Sequence, residues 1–210
     1  DLVALFRERL LASRFGAGDT LDVYYAAFRL PDFLFQTFIL GALGAAFVPV
    51  FIALYTKDKK RGMELAASLL WLLIVIMLGA SVFLFFVAPI IIPWFVPGFS
   101  PVKQAETIQL TRIMLLAITF LTASNVFSAT LHSLRCFVAA SLAPILYNVG
   151  IIIGIVFFEP RFGLPGLAWG VVVGAVLHAL SQIPALVKAD LRLTPSFSWN
   201  LPELKQVFRL

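Results

Sequence analysis

The chain has 210 residues, of which 61% are hydrophobic and 13% are charged. Soluble domains are roughly 45–50% apolar and about 25% charged, so this composition excludes an ordinary soluble enzyme, a nucleic-acid-binding module and a disordered chain. It predicts an all-α fold, a polytopic bundle of membrane helices. The formal net charge of +5 is small and is expected to reside in loops, so we expect no nucleic-acid partner.

Six apolar segments are predicted to form the spans. They lie at residues 1 to about 15, 22–55, 64–95, 105–134, 138–158 and 164–187. The first is short and is predicted to be the second half of a truncated helix. Residues 1–192 are thus expected to form one transmembrane unit. Residues 193–210, with aromatic side chains among polar ones, are predicted to be an interfacial connector toward a further helix.

The distribution of lysine and arginine predicts the orientation. Basic residues cluster at 57–61 and follow the sixth segment, whereas the turn at 96–101 is nearly uncharged. Because cytoplasmic loops of membrane proteins carry an excess of basic residues, we expect 57–61, 135–136 and the tail from 188 to be cytoplasmic.

The sequence lacks the motifs that would indicate an enzyme. The chain has one cysteine, Cys136, and two histidines, His132 and His178. This excludes an internal disulfide framework and a cysteine-based metal cluster, and two scattered histidines are too few for a metal site. No nucleophile elbow, phosphate-binding loop or His-Glu-x-x-His pair is present. We therefore expect no catalytic residues, no metal and no cofactor.

Charged and polar residues inside the second segment are the strongest functional signal. Asp22, Arg29 and Gln36 are seven residues apart, which places them on one stripe of a helix. Arg7 is the corresponding cation on the first segment. Arginine binds phosphate in a bidentate manner, so these four residues are predicted to line a cavity that binds an anionic substrate. The alternative is that the arginines pair with Asp22 or Glu8 and only fasten helices, or reach to the interface.

Prolines and further polar residues lie within the predicted spans. Pro31 and Pro144 each remove a helical hydrogen bond, and Asn148 lies one turn after Pro144. These three residues are predicted to form kinks or hinges, with Asn148 as the alternative partner of a freed carbonyl. Other polar side chains are predicted to form packing seams between helices: Thr122, Asn125, Ser128, His132, His178 and Gln182.

Several motifs together resemble one known family. They are the stretches at 7–18 and 22–32, the run Ala46-Phe-Val-Pro49, Pro97-Gly-Phe99 and Ala143-Pro-Ile-Leu-Tyr-Asn148. In these residues the chain resembles the opening of the MurJ/MviN family of bacterial flippases for lipid II, the undecaprenyl-pyrophosphate-linked peptidoglycan precursor. The resemblance covers almost the whole chain.

The resemblance implies a larger transporter of two lobes, of which this chain is the N-terminal lobe. It implies alternating access around a cationic cavity that takes the pyrophosphate and sugars of the lipid-linked substrate in the bacterial cytoplasmic membrane. Arg7, Asp22 and Arg29 match the charged cavity positions of the family, and Pro144 with Asn148 matches its fifth-helix motif. The implied partners are the substrate, membrane lipids and the remaining C-terminal lobe.

Two positions depart from the family pattern. Gln36 stands where the family often has arginine, and Leu40 where it often has glutamate. A flippase for another polyprenyl-linked glycan and a non-transporting membrane scaffold of the same fold therefore remain alternatives. A drug or cation exporter would favour an acidic cavity, whereas the predicted one is basic.

Overall fold

The computed structural model describes residues 2–16, 18–37 and 46–190, together with 204 and 207. All regular structure in these ranges is helical. The helices are α1 Leu2–Phe15, α2 Asp19–Phe35, α3 Val48–Lys57, α4 Lys59–Phe95, α5 Pro101–Ser133, α6 Phe137–Ile153, α7 Glu159–Phe162, α8 Leu164–Leu180 and α9 Ile183–Lys188. A π-helical segment, Gly154–Phe158, joins α6 to α7.

Four helical stretches in the described part of the chain are long and apolar enough to cross a membrane: Lys59–Phe95, Pro101–Ser133, Phe137–Phe162 and Leu164–Lys188. They coincide with the predicted third to sixth segments and differ from them mainly at their ends. The prediction of an all-helical membrane bundle is confirmed.

The basic segment at 57–61 is not the loop that the sequence suggested. Only Asp58 leaves the helical conformation, and its carboxylate accepts a hydrogen bond from the backbone N–H of Arg61 at 3.2 Å. This cap starts α4 at Lys59, five residues before the predicted boundary, because it satisfies an N–H that the first helical turn leaves without a partner. Ser100 starts α5 in the same way, through the N–H of Lys103.

The predicted second segment is described in two parts. Helix α2 continues through Pro31 into two π-helical residues, Gln36 and Thr37, and helical structure is described again from Ala46 into α3. Leu40 lies outside the described residues. So does most of the predicted connector at 193–210; Leu204 and Val207 are buried against a core built mainly from α3, α4 and α5.

Helix α5 lies at the centre of the bundle and packs against α2, α4 and α8. A second core joins α1, α2, α5, α6 and α8. Helices α6 and α8 approach closely: a Cβ placed on Gly150 would lie 2.2 Å from the Cα of Gly174, and one placed on Gly154, in the π-helical segment, would lie 2.5 Å from the Cα of Gly170. Small residues allow such backbone contact, which is the usual way in which helices associate tightly in membranes.

Large apolar side chains on the outer face of α4 are exposed. Phe83, Phe86, Ile90 and Trp94 have 63%, 70%, 67% and 84% of their surface accessible. Their spacing of three to four residues places them on one helix face. A stripe of this size is suited to contact with lipid tails, and it leaves the opposite face of α4 to pack on α5.

Candidate functional site

The predicted stripe of α2 forms a polar face that the bundle does not cover. Asp22, Arg29 and Gln36 are all exposed. The buried residues of the same helix lie on its other side and include Val23, Ala27, Leu30 and Leu34. Helix α2 therefore packs through its apolar face and leaves its charged face open, as the seven-residue spacing predicted.

Asp22 and Arg29 line a cleft of about 540 Å³ between α2 and the turn that joins α4 to α5. The remaining lining residues come from both sides of the cleft: Tyr25, Ala26, Phe95, Val96, Gly98, Phe99 and Lys103. The cleft lies at the Phe95 end of α4, opposite to the basic cluster at its beginning. If the basic cluster is cytoplasmic, as predicted, the cleft lies toward the outer surface of the membrane.

Two contacts hold α2 against the far wall of this cleft. The Nη1 of Arg29 donates a hydrogen bond to the carbonyl oxygen of Phe95 at 3.2 Å. Carbonyl groups in the last turn of a helix lack an intrahelical partner and carry its negative dipole end, so they suit a guanidinium. At the mouth of the cleft, the ammonium of Lys103 pairs with the carboxylate of Asp19. Lys103 also lies 5.3 Å from the centre of the Phe99 ring.

Arg7 lies in a second recess, of about 250 Å³, between α1, α2 and α6. Its other lining residues are mostly aromatic or acidic: Glu8, Leu11, Tyr24, Tyr25, Phe28, Asp32, Tyr147 and Ile151. Tyr25 lines both recesses. The residues predicted to line one cavity thus lie in two neighbouring recesses, except for Gln36, which lines neither of these two.

Arg7 is held by partners from its own helix and from α6. Its Nη1 donates to the Oδ1 of Asn148 at 2.7 Å, and its Nε donates to Glu8 at 3.1 Å. Glu8 also accepts a hydrogen bond from the hydroxyl of Tyr25 at 2.8 Å. The pairing with Glu8 is the fastening contact that the sequence left open as an alternative. The arginine side chain nevertheless keeps 22% of its surface accessible.

The Asn148 side chain bonds both within α6 and to α1. Its Nδ2 donates to the carbonyl of Pro144 at 2.9 Å. Because a proline frees the carbonyl four residues before it, the bond lost at Pro144 belongs to Ala140. Asn148 thus bonds to the turn that contains Pro144 and also links α6 to Arg7. The hinge role of Pro31, Pro144 and Asn148 stays a prediction.

Fewer polar side chains than predicted form hydrogen bonds between α5 and α8. Ser128 donates to Gln182 at 2.9 Å, and the Nε2 of Gln182 donates to the carbonyl of Ser124 at 3.2 Å. Ser124 also contacts His178, a pairing that the sequence did not suggest. Two predicted members, Thr122 and Asn125, instead bond to carbonyls of their own helix, and His132 is exposed. Among the described residues, no group of three or more His, Cys, Asp or Glu side chains is arranged to hold a metal ion.

A family model described as "Lipid II flippase MurJ" matches residues 11–210. The chain belongs to this family. The match covers α2 with its charged stripe, the α4–α5 cleft and the α6 motif with Asn148. The resemblance found in the sequence motifs is thereby confirmed.

Individual relatives agree with the family model. The chain is 34% identical to the "Lipid II flippase MurJ" of Burkholderia cenocepacia, over 98% of this chain and 42% of the relative. It is 32% identical to a "Probable lipid II flippase MurJ" of Buchnera aphidicola, over 95% of this chain and 40% of the relative. The solved structure of "Lipid II flippase MurJ, inward closed conformation" superposes with a TM-score of 0.78 at 25% identity, covering 99% of this chain and 44% of that one. The chain thus spans about two fifths of the length of these relatives.

Proposed function

We propose that this chain is the N-terminal lobe of a flippase that moves lipid II across the bacterial cytoplasmic membrane. In this proposal residues 1–192 form the lobe and residues 193–210 lead to the rest of the transporter. The remaining C-terminal lobe would supply the opposite wall of a shared cavity. Membrane lipids would contact the exposed apolar face of α4, and the lipid-linked glycan would be carried without covalent chemistry.

The observation that carries the proposal is the open, charged face of α2 within a membrane bundle. Charged side chains in membrane helices are costly unless they are paired or face a water-filled cavity, and they usually mark a substrate path. Arg29 and Asp22 are exposed to the cleft, and Arg7 borders the adjoining recess. Guanidinium groups bind a pyrophosphate through paired N–H donors, which suits the charged part of the substrate.

The two recesses also suggest how access would alternate. The contacts Arg29 to Phe95 and Lys103 to Asp19 close α2 against the α4–α5 turn at one end of the bundle. Both are single side-chain contacts near the surface, and they can exchange for contacts with substrate or water. Opening this end while the opposite end closes would expose the cavity to each side of the membrane in turn.

Gln36 supports a second candidate, a flippase for a different polyprenyl-linked glycan. Glutamine is neutral, so this stripe carries one cation fewer than the family often has. The substrate in that case would keep the polyprenyl pyrophosphate and differ in its sugars or peptide.

Ligand binding to the purified complete protein in lipid nanodiscs tests the proposal. The ligands are lipid II, an undecaprenyl pyrophosphate with another glycan, and undecaprenyl monophosphate. We expect lipid II to bind most tightly and the monophosphate most weakly. Tighter binding of the other glycan would favour the second candidate. Equal binding of all three, or of none, would contradict both and favour a scaffold.

A further inference from the structure

Three prolines interrupt the hydrogen-bond ladders of α2 and α4: Pro31 in α2, and Pro89 and Pro93 in α4. A proline has no backbone N–H, so the carbonyl four residues earlier loses its helical partner. The freed carbonyl is that of Ala27 for Pro31, and that of Phe85 for Pro89. In a membrane, such a carbonyl is satisfied by a neighbouring helix or by a side chain.

Two consecutive residues of α5 bond to these two carbonyls. The hydroxyl of Thr111 donates to the carbonyl of Ala27 at 3.2 Å. The Nε of Arg112 donates to the carbonyl of Phe85 at 2.9 Å. Adjacent residues on a helix point about 100° apart, and α5 packs against both α2 and α4. One turn of α5 can therefore reach both of the interrupted helices.

The surroundings of each donor fit this assignment. Thr111 is fully buried, so its hydroxyl needs a partner within the bundle. The Arg112 guanidinium lies 4.7 Å from the centre of the Phe85 ring, so the same residue offers it a carbonyl and an aromatic face. Arg112 is also the twelfth residue of α5, which puts its Cα about 16 Å along the helix from Pro101. Cations in membrane helices are usually paired with another charge or with backbone carbonyls, as Arg112 is here.

These bonds lie on the helices that form the Asp22–Arg29 cleft. Ala27 lies two residues before Arg29 on α2, and Phe85 belongs to the helix that ends at Phe95, whose carbonyl accepts the bond from Arg29. The helices α2, α4 and α5 are thus linked in a triangle by three side-chain donors. In each case the acceptor is a carbonyl that its own helix leaves without a partner.

We propose that Thr111 and Arg112 are positioning residues that hold the proline-interrupted turns of α2 and α4 against α5 and thereby set the place of Arg29 in the cleft. The importance of the cleft rests on the proposed function, whereas the two hydrogen bonds do not. Each donor replaces a backbone bond with a side-chain bond, which can break and re-form without unwinding the helix. The helix segments before and after each proline can therefore move relative to each other at the proline turn.

Paired substitutions in the complete protein test this assignment without any substrate. Reversible unfolding in mixed detergent micelles would be measured for Arg112→Met, Pro89→Ala and their combination. Pro89→Ala restores a backbone N–H for the Phe85 carbonyl. We expect Arg112→Met to lower the folding equilibrium constant about tenfold or more in the native background, and far less when Pro89 is alanine.

Thr111→Val and Pro31→Ala form the second pair. Hydrogen bonds between membrane helices are modest, so we expect a loss of about threefold for Thr111→Val, and almost none with Pro31→Ala. Thr111→Ser keeps the hydroxyl and should keep the native folding equilibrium constant.

The crossed pairs are matched controls: Arg112→Met with Pro31→Ala, and Thr111→Val with Pro89→Ala. Their effects on folding should be additive. A full loss that persists after the partner proline is replaced, or equal coupling in the crossed pairs, would overturn the proposal.

Thr107→Val controls for the loss of a buried hydroxyl on the same helix. Thr107 is equally buried, but its hydroxyl bonds to the carbonyl of Lys103 within α5. Its effect should not depend on Pro31. If Arg112→Met does not fold, recovery of folding in the combination with Pro89→Ala still supports the assignment, and failure to recover contradicts it.

A distance measurement tests the positioning role itself. Spin labels at the exposed positions Phe33 and Val102 report the separation of α2 from the start of α5. We expect Thr111→Val to broaden or shift this distance distribution in the folded protein, and Thr111→Ser, which keeps the hydroxyl, to leave it as in the native protein. An unchanged distribution in Thr111→Val would show that the hydroxyl contributes only to stability. Because no lipid II is present, none of these results depends on the substrate.

Discussion

The side chains of Arg7 and Asn148 meet at 2.7 Å although 141 residues separate them in the chain. One was predicted to bind substrate and the other to support a kink in α6. Their contact joins α1 to α6 across the recess that also holds Glu8 and Tyr25. A ligand that engages Arg7 therefore competes with, or adds to, a bond that reaches the Pro144 turn of α6.

This contact predicts that Arg7 and Asn148 act as a unit. Arg7→Ala and Asn148→Ala should each weaken lipid II binding, and the double variant should lose less than the sum of the two. We expect a coupling of about 0.5–3 kcal/mol, which is usual for residues in one hydrogen-bond network. Binding isotherms of the four proteins in nanodiscs give this value.

The control for this cycle is Asn125→Ala, because the Asn125 amide bonds only within its own helix among its described contacts, at 2.8 Å to Leu121. Asn125→Ala should be additive with Arg7→Ala. Additivity of Arg7→Ala with Asn148→Ala would instead mean that the two side chains act independently in solution.

Substitution of Arg29 should affect the substrate more than the fold. A charge-assisted contact is worth about 1.5–3 kcal/mol, so Arg29→Ala should reduce lipid II affinity roughly 10- to 150-fold. Arg29→Lys should recover only part of this loss, because lysine keeps the charge and lacks the paired donors. Affinity and membrane abundance would be measured separately for each variant.

Arg161→Ala is the matched control for Arg29, since it removes the same chemical group from the exposed face of α7. It should leave both quantities at native levels. Reduced abundance of Arg29→Ala with unchanged affinity per folded molecule would mean that Arg29 is a structural fastener.

The different surroundings of Gly154, in the π-helical segment, and Gly79, in α4, predict opposite effects of alanine substitution. A Cβ at Gly154 would lie 2.5 Å from the backbone of Gly170, whereas one at Gly79 would meet nothing within 4 Å. Gly154→Ala should destabilise by about 1–3 kcal/mol through forced separation of the helices. Gly79→Ala should stabilise α4 by about 0.5–1 kcal/mol, because glycine is a poor helix former. Unfolding in mixed micelles measures both, and a Gly154→Ala protein of native stability would show that the helices pack more loosely.

Cysteine labelling tests the orientation. The native Cys136 is exposed, so it serves as a reference for the end of the bundle predicted to be cytoplasmic. Ser100→Cys and Lys59→Cys would each be made in a Cys136→Ser background, and the native protein would report Cys136. In intact cells, an impermeant thiol reagent should modify Ser100→Cys but neither Lys59→Cys nor the native Cys136. Permeabilisation should make all three reactive. Labelling of Lys59→Cys and not Ser100→Cys in intact cells would reverse the topology.

The sequence by itself determined the four apolar stretches that are long enough to cross a membrane, and which face of α2 stays open. Both follow from local properties: the length of apolar segments, and the seven-residue spacing that keeps Asp22, Arg29 and Gln36 on one face. Local rules also predicted Pro31 and Pro144 as interruptions, because the missing N–H is a property of the residue itself.

Only the tertiary structure decided which groups meet across the helices. Arg112 was not distinguished by the sequence patterns, and its role depends on a carbonyl that Pro89 frees on a different helix. The meeting of Arg7 with Asn148, and of Thr111 with Ala27, likewise depends on the order in which the helices pack. Apolar periodicity specifies that a face is buried but does not specify its neighbour, and hydrogen bonds between helices require the neighbour, its rotation and its depth.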